Sequence, residues 1–473
     1  MKKRNDLTQG DILKTLVTLS LPIMAQSFIQ MAYNMIDMMW LGRVGSKSVA
    51  AVGTAGFLIW FSFSLIIIAK VGVEVGVSQS LGKKEPLLAR DFARNGLQLT
   101  IFMGILYTIV LMLFSKNLIG FFNLNDTEVI NQSLGYLKII AVGMVFTFIN
   151  PVLSGIYNGM GNSKTPFYIN SVGLVVNIIL DPILIFKYNM GAEGAAYATV
   201  ISQAIVTVIF VVLFRSSYAP FKEFHFFKMP IFNVIKQIFK FGSPIGLQSG
   251  LFTVFASLLA RLVAQWGPIP IAVQKVGSQI EAISWMTASG FSTALSSFVG
   301  QNYGAGKWDR IAKGYFITIM LSGIIGILAS LLLIFFAEPL FRIFIPNDPE
   351  AIRIGVTYLQ ILGYSQLFMC LEITSQGAFN GIGKTLPPSI VSIIFTGLRV
   401  PMAMFLSSAA LLGLSGVWWS ISISSIIKGL IMASWFIYFI VRHPDVCVPK
   451  KAAQLIFRFD RKAWNDKRCL NGK

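Results

Sequence analysis

Gly155-Ile-Tyr-Asn158-Gly159-Met-Gly161-Asn-Ser-Lys-Thr-Pro166 recurs 222 positions later as Gly377-Ala-Phe-Asn380-Gly381-Ile-Gly383-Lys-Thr-Leu-Pro-Pro388. Working outward from this stretch, the same shift needs no gap. It sets Pro22 on Pro244, Gln26-Ser27 on Gln248-Ser249, Gly45 on Gly267, and Gln79 with Gly82 on Gln301 with Gly304. Asp126 and Glu128 fall on Asp348 and Glu350, and Gly191 and Gly194 on Gly413 and Gly416. The matches fall on turn and packing residues, so they report a repeated backbone rather than a shared apolar composition. A duplicated apolar chain is the usual mark of a secondary transporter, with substrate sites near the interface of its repeats.

The chain has 473 residues, of which 55% are hydrophobic and 12% charged, with a mean hydropathy of +0.70. Soluble domains carry about 25% charged residues. This chain cannot cover itself with polar surface, and its apolar runs of about 20 residues recur along the whole length, so it uses lipid. The net charge of +19 would suggest nucleic acid in a soluble protein. Here the basic residues sit in short loops as topology signals, and no nucleic-acid motif accompanies them. Cys370, Cys447 and Cys469 have no metal-ligand spacing. The basic N-terminus precedes an apolar segment too long for a signal peptide.

Twelve transmembrane helices are predicted, at 15–41, 48–80, 92–115, 132–158, 166–187, 194–214, 237–265, 270–300, 312–337, 354–380, 388–410 and 415–441. The expected fold is an all-α integral membrane protein of two parallel six-helix repeats, related by a pseudo-two-fold along the membrane normal. An even number of spans per repeat returns the chain to its starting side. The expected divisions are an N-terminal lobe 1–215, a linker 216–236, a C-terminal lobe 237–441 and a basic tail 442–473. Lysines and arginines concentrate in the loops continuous with both ends, such as Lys83, Lys84, Arg90, Arg94, Lys307, Arg310 and Lys313. That places both termini in the cytoplasm of a multi-pass inner-membrane protein, with the tail against anionic lipid. The small-residue pairs Gly72/Gly76, Gly155/Gly159 and Gly377/Gly381 read as helix-packing positions.

A charge at mid-bilayer costs several kcal/mol and needs a reason. In the first span Gln26, Gln30, Asn34 and Asp37 share a face, as do Asn150, Ser154 and Asn158 in the fourth. Asn170, Asn177 and Asp181 do so in the fifth, beside Pro182, and Thr199, Gln203 and Thr207 in the sixth. Four polar stripes cannot all face lipid, but facing one another they would line a hydrated cavity in the first repeat. The bland alternative for each is interhelical hydrogen bonding. For Asp37 and Asp181 it is weaker, because neither span carries a mid-helix Lys or Arg. An acid without a fixed partner is protonated or paired with a mobile cation, and both outcomes describe a coupling site.

The repeat supplies an internal control. Asp37 and Asp181 have Leu259 and Ala403 as mates, and Asn177 has Arg399. Residues kept in one half only point to function, since both halves need the same fold. The second half has its own acid, Glu372, in a stripe with Gln376 and Asn380. It reads either as a substrate-cavity residue or as half of a local ion pair, for instance with Arg399. Glu281 near Lys275 and Lys70 with Glu74 read as structural pairs. Residues Ala378 to Thr385 satisfy a relaxed P-loop pattern. A true P-loop follows a strand and opens a helix; this one ends an apolar helix. With His225 and His443 the only histidines, no triad or zinc spacing exists, so no enzyme activity and no cofactor are expected.

These residues resemble the MATE family, the multidrug and toxic compound extrusion transporters. The resemblance rests on Leu21-Pro22 through Asp37-Met-Met-Trp-Leu-Gly42, Gly161-Asn-Ser-Lys-Thr-Pro166 and Asn177-Ile-Ile-Leu-Asp181-Pro182. Gly194-Ala-Ala-Tyr-Ala-Thr199 and Gly300-Gln-Asn-Tyr-Gly304 extend it. It implies two six-helix lobes exporting small cationic amphipathic compounds against a proton or sodium gradient, as a monomer. It implies a cation site at Asp37, Asn177, Asp181 and Thr199 and helix bending at Pro22, while the polar stripes themselves nominate Gln30, Asn34, Asn150, Ser154, Gln203, Glu372 and Gln376 as cavity residues. The chain departs from family members with a second-lobe sodium site, since Phe252 stands where they carry a Glu and Glu372 does not align cleanly with their Asp. A flippase of lipid-linked precursors from the same superfamily is the alternative; it would favour more helices and a basic cavity.

Overall fold

A computed structural model describes residues 6–124, 126–217, 226–408 and 411–446. All of its regular elements are helical. In the first repeat they are α1 (Ile12–Val44), α2 (Ser46–Gly82), α3 (Pro86–Gly120), α4 (Thr127–Gly159), α5 (Lys164–Pro182) with a π-helical turn Ile183–Lys187, and α6 (Gly191–Ser217). In the second they are α7 (Phe232–Val263), α8 (Pro268–Gly304), α9 (Trp308–Phe335), the short α10 (Ala337–Phe344) and α11 (Pro349–Gly363). There follow α12 (Gln366–Gly381), α13 (Leu386–Gly397), α14 (Arg399–Leu406) and α15 (Leu414–Val441). The protein is an all-α, multi-pass membrane protein with a twelve-helix layout. Ten helices among the described residues are long and apolar enough to cross a bilayer, and α11 with α12, bent by 49°, makes an eleventh. The remaining span is α8. At 37 residues it is long enough, but Gln274, Lys275, Gln279 and Glu281 make it more polar than its mate α2.

The 222-residue shift carries α2 onto α8 end for end, Ser46–Gly82 onto Pro268–Gly304. The packing repeats with it. A Cβ on Gly155 or Gly159 would run into α2 at Lys70 and Glu74; on Gly377 or Gly381 it would run into α8 at the mates Ser292 and Ser296. Gly194 lies 2.8 Å, measured from such a Cβ, from the Leu184 carbonyl, and Gly416 lies 2.2 Å from that of its mate Leu406. Gly72 and Gly76 admit Ile238 and Phe92 in the same way. Small residues here let a neighbouring backbone, or at Gly76 the Phe92 ring, pack directly on the helix, which is how spans gain contact when lipid offers no hydrophobic drive.

Two spans that run unbroken in the first repeat are interrupted in the second, α3 as α9 with α10 and α4 as α11 with α12. The break between α11 and α12 follows from serine hydroxyls. Ser422 from α15 donates to the Ile361 carbonyl at 2.7 Å, taking the acceptor that the Ser365 amide would use, and that amide turns to Leu362 at 3.0 Å. The pause at Leu398 precedes Pro401, which has no N–H to give. Pro182 ends α5 for the same reason, and the chain continues as a π-turn closed by the Tyr188 amide on the Ile183 carbonyl.

By packing, the chain divides into two units. Unit 1 contains Thr18–Gly250; unit 2 contains Leu7–Val17 and the described residues from Leu251 on. In unit 1 the start of α7 docks on α2 and α3: Asn95 accepts from the Ile231 amide at 2.6 Å, and Gln98 donates to the Phe226 and Lys228 carbonyls. In unit 2 the segment before α1 is clamped. The Leu7 amide donates to Gln301, Asn302 donates to the Leu7 carbonyl, Lys307 to Thr8, and Arg310 to Leu7, Gln9 and Gly10. At the N-terminus of α4, Asp126 caps the Glu128 and Val129 amides and pairs with Lys47 at 3.1 Å. The Lys47 hydrogen bond holds the Asp126 carboxyl below its ordinary range.

Candidate functional site

Three helices of unit 1 bring Asp37, Asn177, Asp181 and Thr199 together. Asp37 is on α1, one turn beyond the buried Tyr33; Asn177 and Asp181 are one turn apart on α5; Thr199 is on α6. Asn177 donates to Asp181 Oδ1 at 3.3 Å, and Thr199 donates to Asp37 Oδ2 at 3.4 Å. The two carboxyl groups are immediate neighbours. Asp181 and Asn177 are fully buried. The π-turn after Pro182 rests on Gly194, and that contact sets α6, and so Thr199, against the end of α5.

Three oxygens with little or no exposure converge here without a hydrogen-bond donor, Asp37 Oδ1, Asp181 Oδ2 and Asn177 Oδ1, and the hydroxyls of Tyr33 and Ser202 lie beside them, facing each other. Among the described residues no lysine or arginine lies within ion-pair distance of either acid. A buried polar atom without a partner is costly, and two adjacent carboxylates without a cation are costlier. Oxygens alone, with two acids among them, suit a proton shared between carboxyls or a small hard cation. No group of three or more His, Cys, Asp or Glu side chains suited to a metal ion occurs among the described residues. Tyr33 and Ser202 were missed in the sequence, although Tyr33 stands four residues before Asp37 and so on its face.

A second polar cluster lies in the same unit. Asn150 Nδ2 donates to Gln203 Oε1 at 2.7 Å and to the Gln203 carbonyl at 3.0 Å, and Thr207 donates to Asn150 Oδ1 at 2.7 Å. Ser154 donates to the Asn150 carbonyl and accepts from Asn170 at 3.5 Å. The stripes of α4, α5 and α6 thus meet, and here they bond one helix to the next. Gln30 and Asn34 lie on an exposed stretch of α1, and Pro22 sits inside α1, which runs through it unbroken.

In unit 2 the expected partners change. Glu372 pairs with Lys428 at 2.9 Å and accepts from Ser392 at 3.1 Å. Arg399 turns to two serines, Nε to Ser424 at 2.5 Å and Nη2 to Ser425 at 2.9 Å. Glu281 accepts from Gln366 at 3.0 Å and makes no pair with Lys275, because six residues place the two about 120° apart around the helix and more than a turn and a half apart along it. Gln376 lies one turn beyond Glu372 and is half-buried.

The fold and this site define an integral membrane protein of tandem six-helix repeats with a carboxylate pair, one member fully buried, within the spans of the first. The chain belongs to the MatE family, whose model matches residues 22–183 and again 244–405. The two matches are displaced by the same 222 residues as the repeat. It is 30% identical over 421 residues to the probable multidrug resistance protein NorM of Thermotoga maritima, covering 86% of this chain and 88% of that one. It is 27% identical to the probable multidrug resistance protein YpnP of Bacillus subtilis, covering 89% and 94%. Among solved structures it resembles an outward-facing multidrug resistance MATE family transporter of the MOP superfamily. That likeness has a TM-score of 0.87 and 24% identity over 93% of this chain and 98% of the other.

Proposed function

We propose that this protein is a multidrug efflux transporter of the cell membrane that exports cationic amphipathic compounds by alternating access in exchange for protons or sodium. It is a transporter and not an enzyme. The coupling cation loads at Asp37 and Asp181, with Asn177 and Thr199 orienting the carboxyls. The observation that carries this reading is the adjacency of two acids inside the membrane spans, Asp181 fully buried and Asp37 half-buried, with no basic side chain to neutralise them. Such a pair demands a mobile positive charge, and a transporter that takes one up on one side and gives it up on the other converts a gradient into work. The multidrug names of its relatives support a small-molecule substrate. Gln30 and Asn34, with the stripe of Asn150, Ser154 and Gln203, are the candidate surfaces for that substrate in the first repeat, and α1 is the moving element, with Pro22 the point at which it would bend during the cycle. The loop charges argue for cytoplasmic termini.

The test is transport in proteoliposomes. Export of a lipophilic cation such as ethidium should follow an imposed proton gradient or an imposed sodium gradient. Absence of uphill movement under both gradients would remove the coupling reading.

A further inference from the structure

The two units treat the acids within their spans in opposite ways. In unit 1 Asp37 and Asp181 have no basic neighbour, and their repeat mates Leu259 and Ala403 are buried apolar side chains. In unit 2 each acid lies among bases. Glu281 and Glu372 share the interior with Arg399 and Lys428, and each of these four groups feels at least one of the others electrostatically. The mates of the second-unit charges carry none: Glu372 corresponds to Asn150, Lys428 to Val206, Arg399 to Asn177 and Glu281 to Ile59. One α4–α6 contact is therefore built twice. In unit 1 it is a neutral amide network of Asn150 with Gln203 and Thr207. In unit 2, at the α12–α15 contact, it is an ion pair.

That pair is closed. Lys428 and Glu372 are each 5% exposed. The ammonium reaches Glu372 Oε1 at 2.9 Å, and Ser392 donates to the same oxygen. The approach is set by the neighbouring Gly429, where a Cβ would lie 2.2 Å from the Phe368 carbonyl oxygen. With α15 pressed on the α12 backbone one turn from Glu372, the lysine stem has only to span the gap. Arg399 is committed to Ser424 and Ser425, and Glu281 to Gln366, so neither competes directly for this pair.

We infer that Lys428 is a built-in counter-ion: its ammonium occupies, on a tether, the place that a mobile monovalent cation would take at Glu372. A carboxylate buried in a membrane span needs a positive partner. Unit 1 leaves that partner to be drawn from solution, whereas unit 2 supplies it from its own chain. The second unit therefore carries a fixed, self-neutralised charge set through the transport cycle, and only the first unit loads and unloads an ion. The claim for unit 2 rests on the proposed coupling role of unit 1 only for its place in transport, and its chemistry can be tested apart from it.

The test counts cations bound to the full chain in lipid nanodiscs, by equilibrium binding of radioactive sodium and, separately, by proton uptake. Lys428→Met keeps the stem and removes the charge. It should bind one more sodium than the wild type, or take up one more proton on going from neutral pH to mild acid, where the wild-type lysine is already charged and gains none; the arm that registers the extra ion tells sodium from proton. Lys428→Met with Glu372→Gln should return to the wild-type number. If Lys428→Met binds only the wild-type number, or if the extra ion survives Glu372→Gln, the inference is overturned. Adding Asp181→Asn separates the two claims. If it removes no ion from the wild type, the unit 1 reading fails, while the extra ion in Lys428→Met still decides this one. Should Lys428→Met not fold, infrared difference spectra of wild type against Glu372→Gln decide instead. A missing carboxylate band that is indifferent to sodium upholds the inference; a missing protonated carboxyl band, or one that responds to sodium, overturns it.

Discussion

Replacing Arg310 by methionine should release the segment that leads into α1. The guanidinium donates to three consecutive-turn carbonyls, Leu7 at 3.3 Å, Gln9 at 3.2 Å and Gly10 at 3.0 Å, and to Asn302 Oδ1 at 3.2 Å. The last bond also orients Asn302, whose amide donates to the Leu7 carbonyl at 3.1 Å. A hydrogen bond from a charged group contributes about 1.5–3 kcal/mol when shielded. The bonds to Gln9 and Gly10 are open to solvent and weigh far less, so the clamp contributes about 2–3 kcal/mol in all. Methionine keeps the aliphatic stem and removes the donors together with the guanidinium that lies over the Phe298 ring. At 1.4 kcal/mol per power of ten, local opening should rise roughly 30- to 150-fold. Hydrogen exchange at the Leu7 amide, which is bonded to Gln301 at 3.1 Å, reads this directly. The corresponding segment held by Asn95 and Gln98 serves as an internal control, and its exchange should not change. An acceleration below about tenfold, or one shared equally by both segments, would refute the clamp.

Thr199→Val removes the donor to Asp37 Oδ2 while keeping the shape. It should weaken apparent affinity for the coupling ion by about 0.5–1.5 kcal/mol, up to roughly tenfold, read from the ion dependence of exchange. Gly194→Val drives a Cβ into the Leu184 carbonyl, backbone that cannot step aside. Thermal unfolding should show a loss of about 1–3 kcal/mol. Asp126→Asn should be less stable than the wild type at neutral pH. The Lys47 contact lowers the folded pKa, so its contribution is present above the unfolded value near 3.9 and disappears as pH falls through the folded one. The melting difference between the two proteins should therefore close only in strong acid.

Much of the architecture was legible because the repeat is written in residues that backbones demand. Gly45 and Gly267, the caps Asp126 and Asp348, and the packing glycines on α4 and α12 fix where helices start and touch. The meeting of Asp37 with Asp181 was legible too, because both are acids in apolar spans and lose their charge at their mates. The bend between α11 and α12 was not, because it depends on Ser422 of α15 reaching the Ile361 carbonyl, a contact between residues distant in sequence. The partner of Glu372 was missed for a related reason. Lys428 is a lone charge in the run Ser420-Ile-Ser-Ile-Ser-Ser-Ile-Ile-Lys428, and a lysine mid-span is itself a signal. Which acid it met, Glu281 or Glu372, depended on how closely Gly429 lets α15 approach. Arg399 is nearer Glu372 in sequence, but the Ser424 and Ser425 hydroxyls hold it.

The central claim is that Asp37 and Asp181 form one cation-loading site with no fixed counter-charge. The direct measurement is substrate export from proteoliposomes by Asp37→Asn and Asp181→Asn, made with and without an imposed ion gradient, on protein whose folding is verified by its melting profile. The account predicts that each variant melts as the wild type does and still binds substrate, but moves none of it uphill under either gradient. Full gradient-driven export by both variants would contradict it, as would a loss of export that only tracks a loss of folded protein.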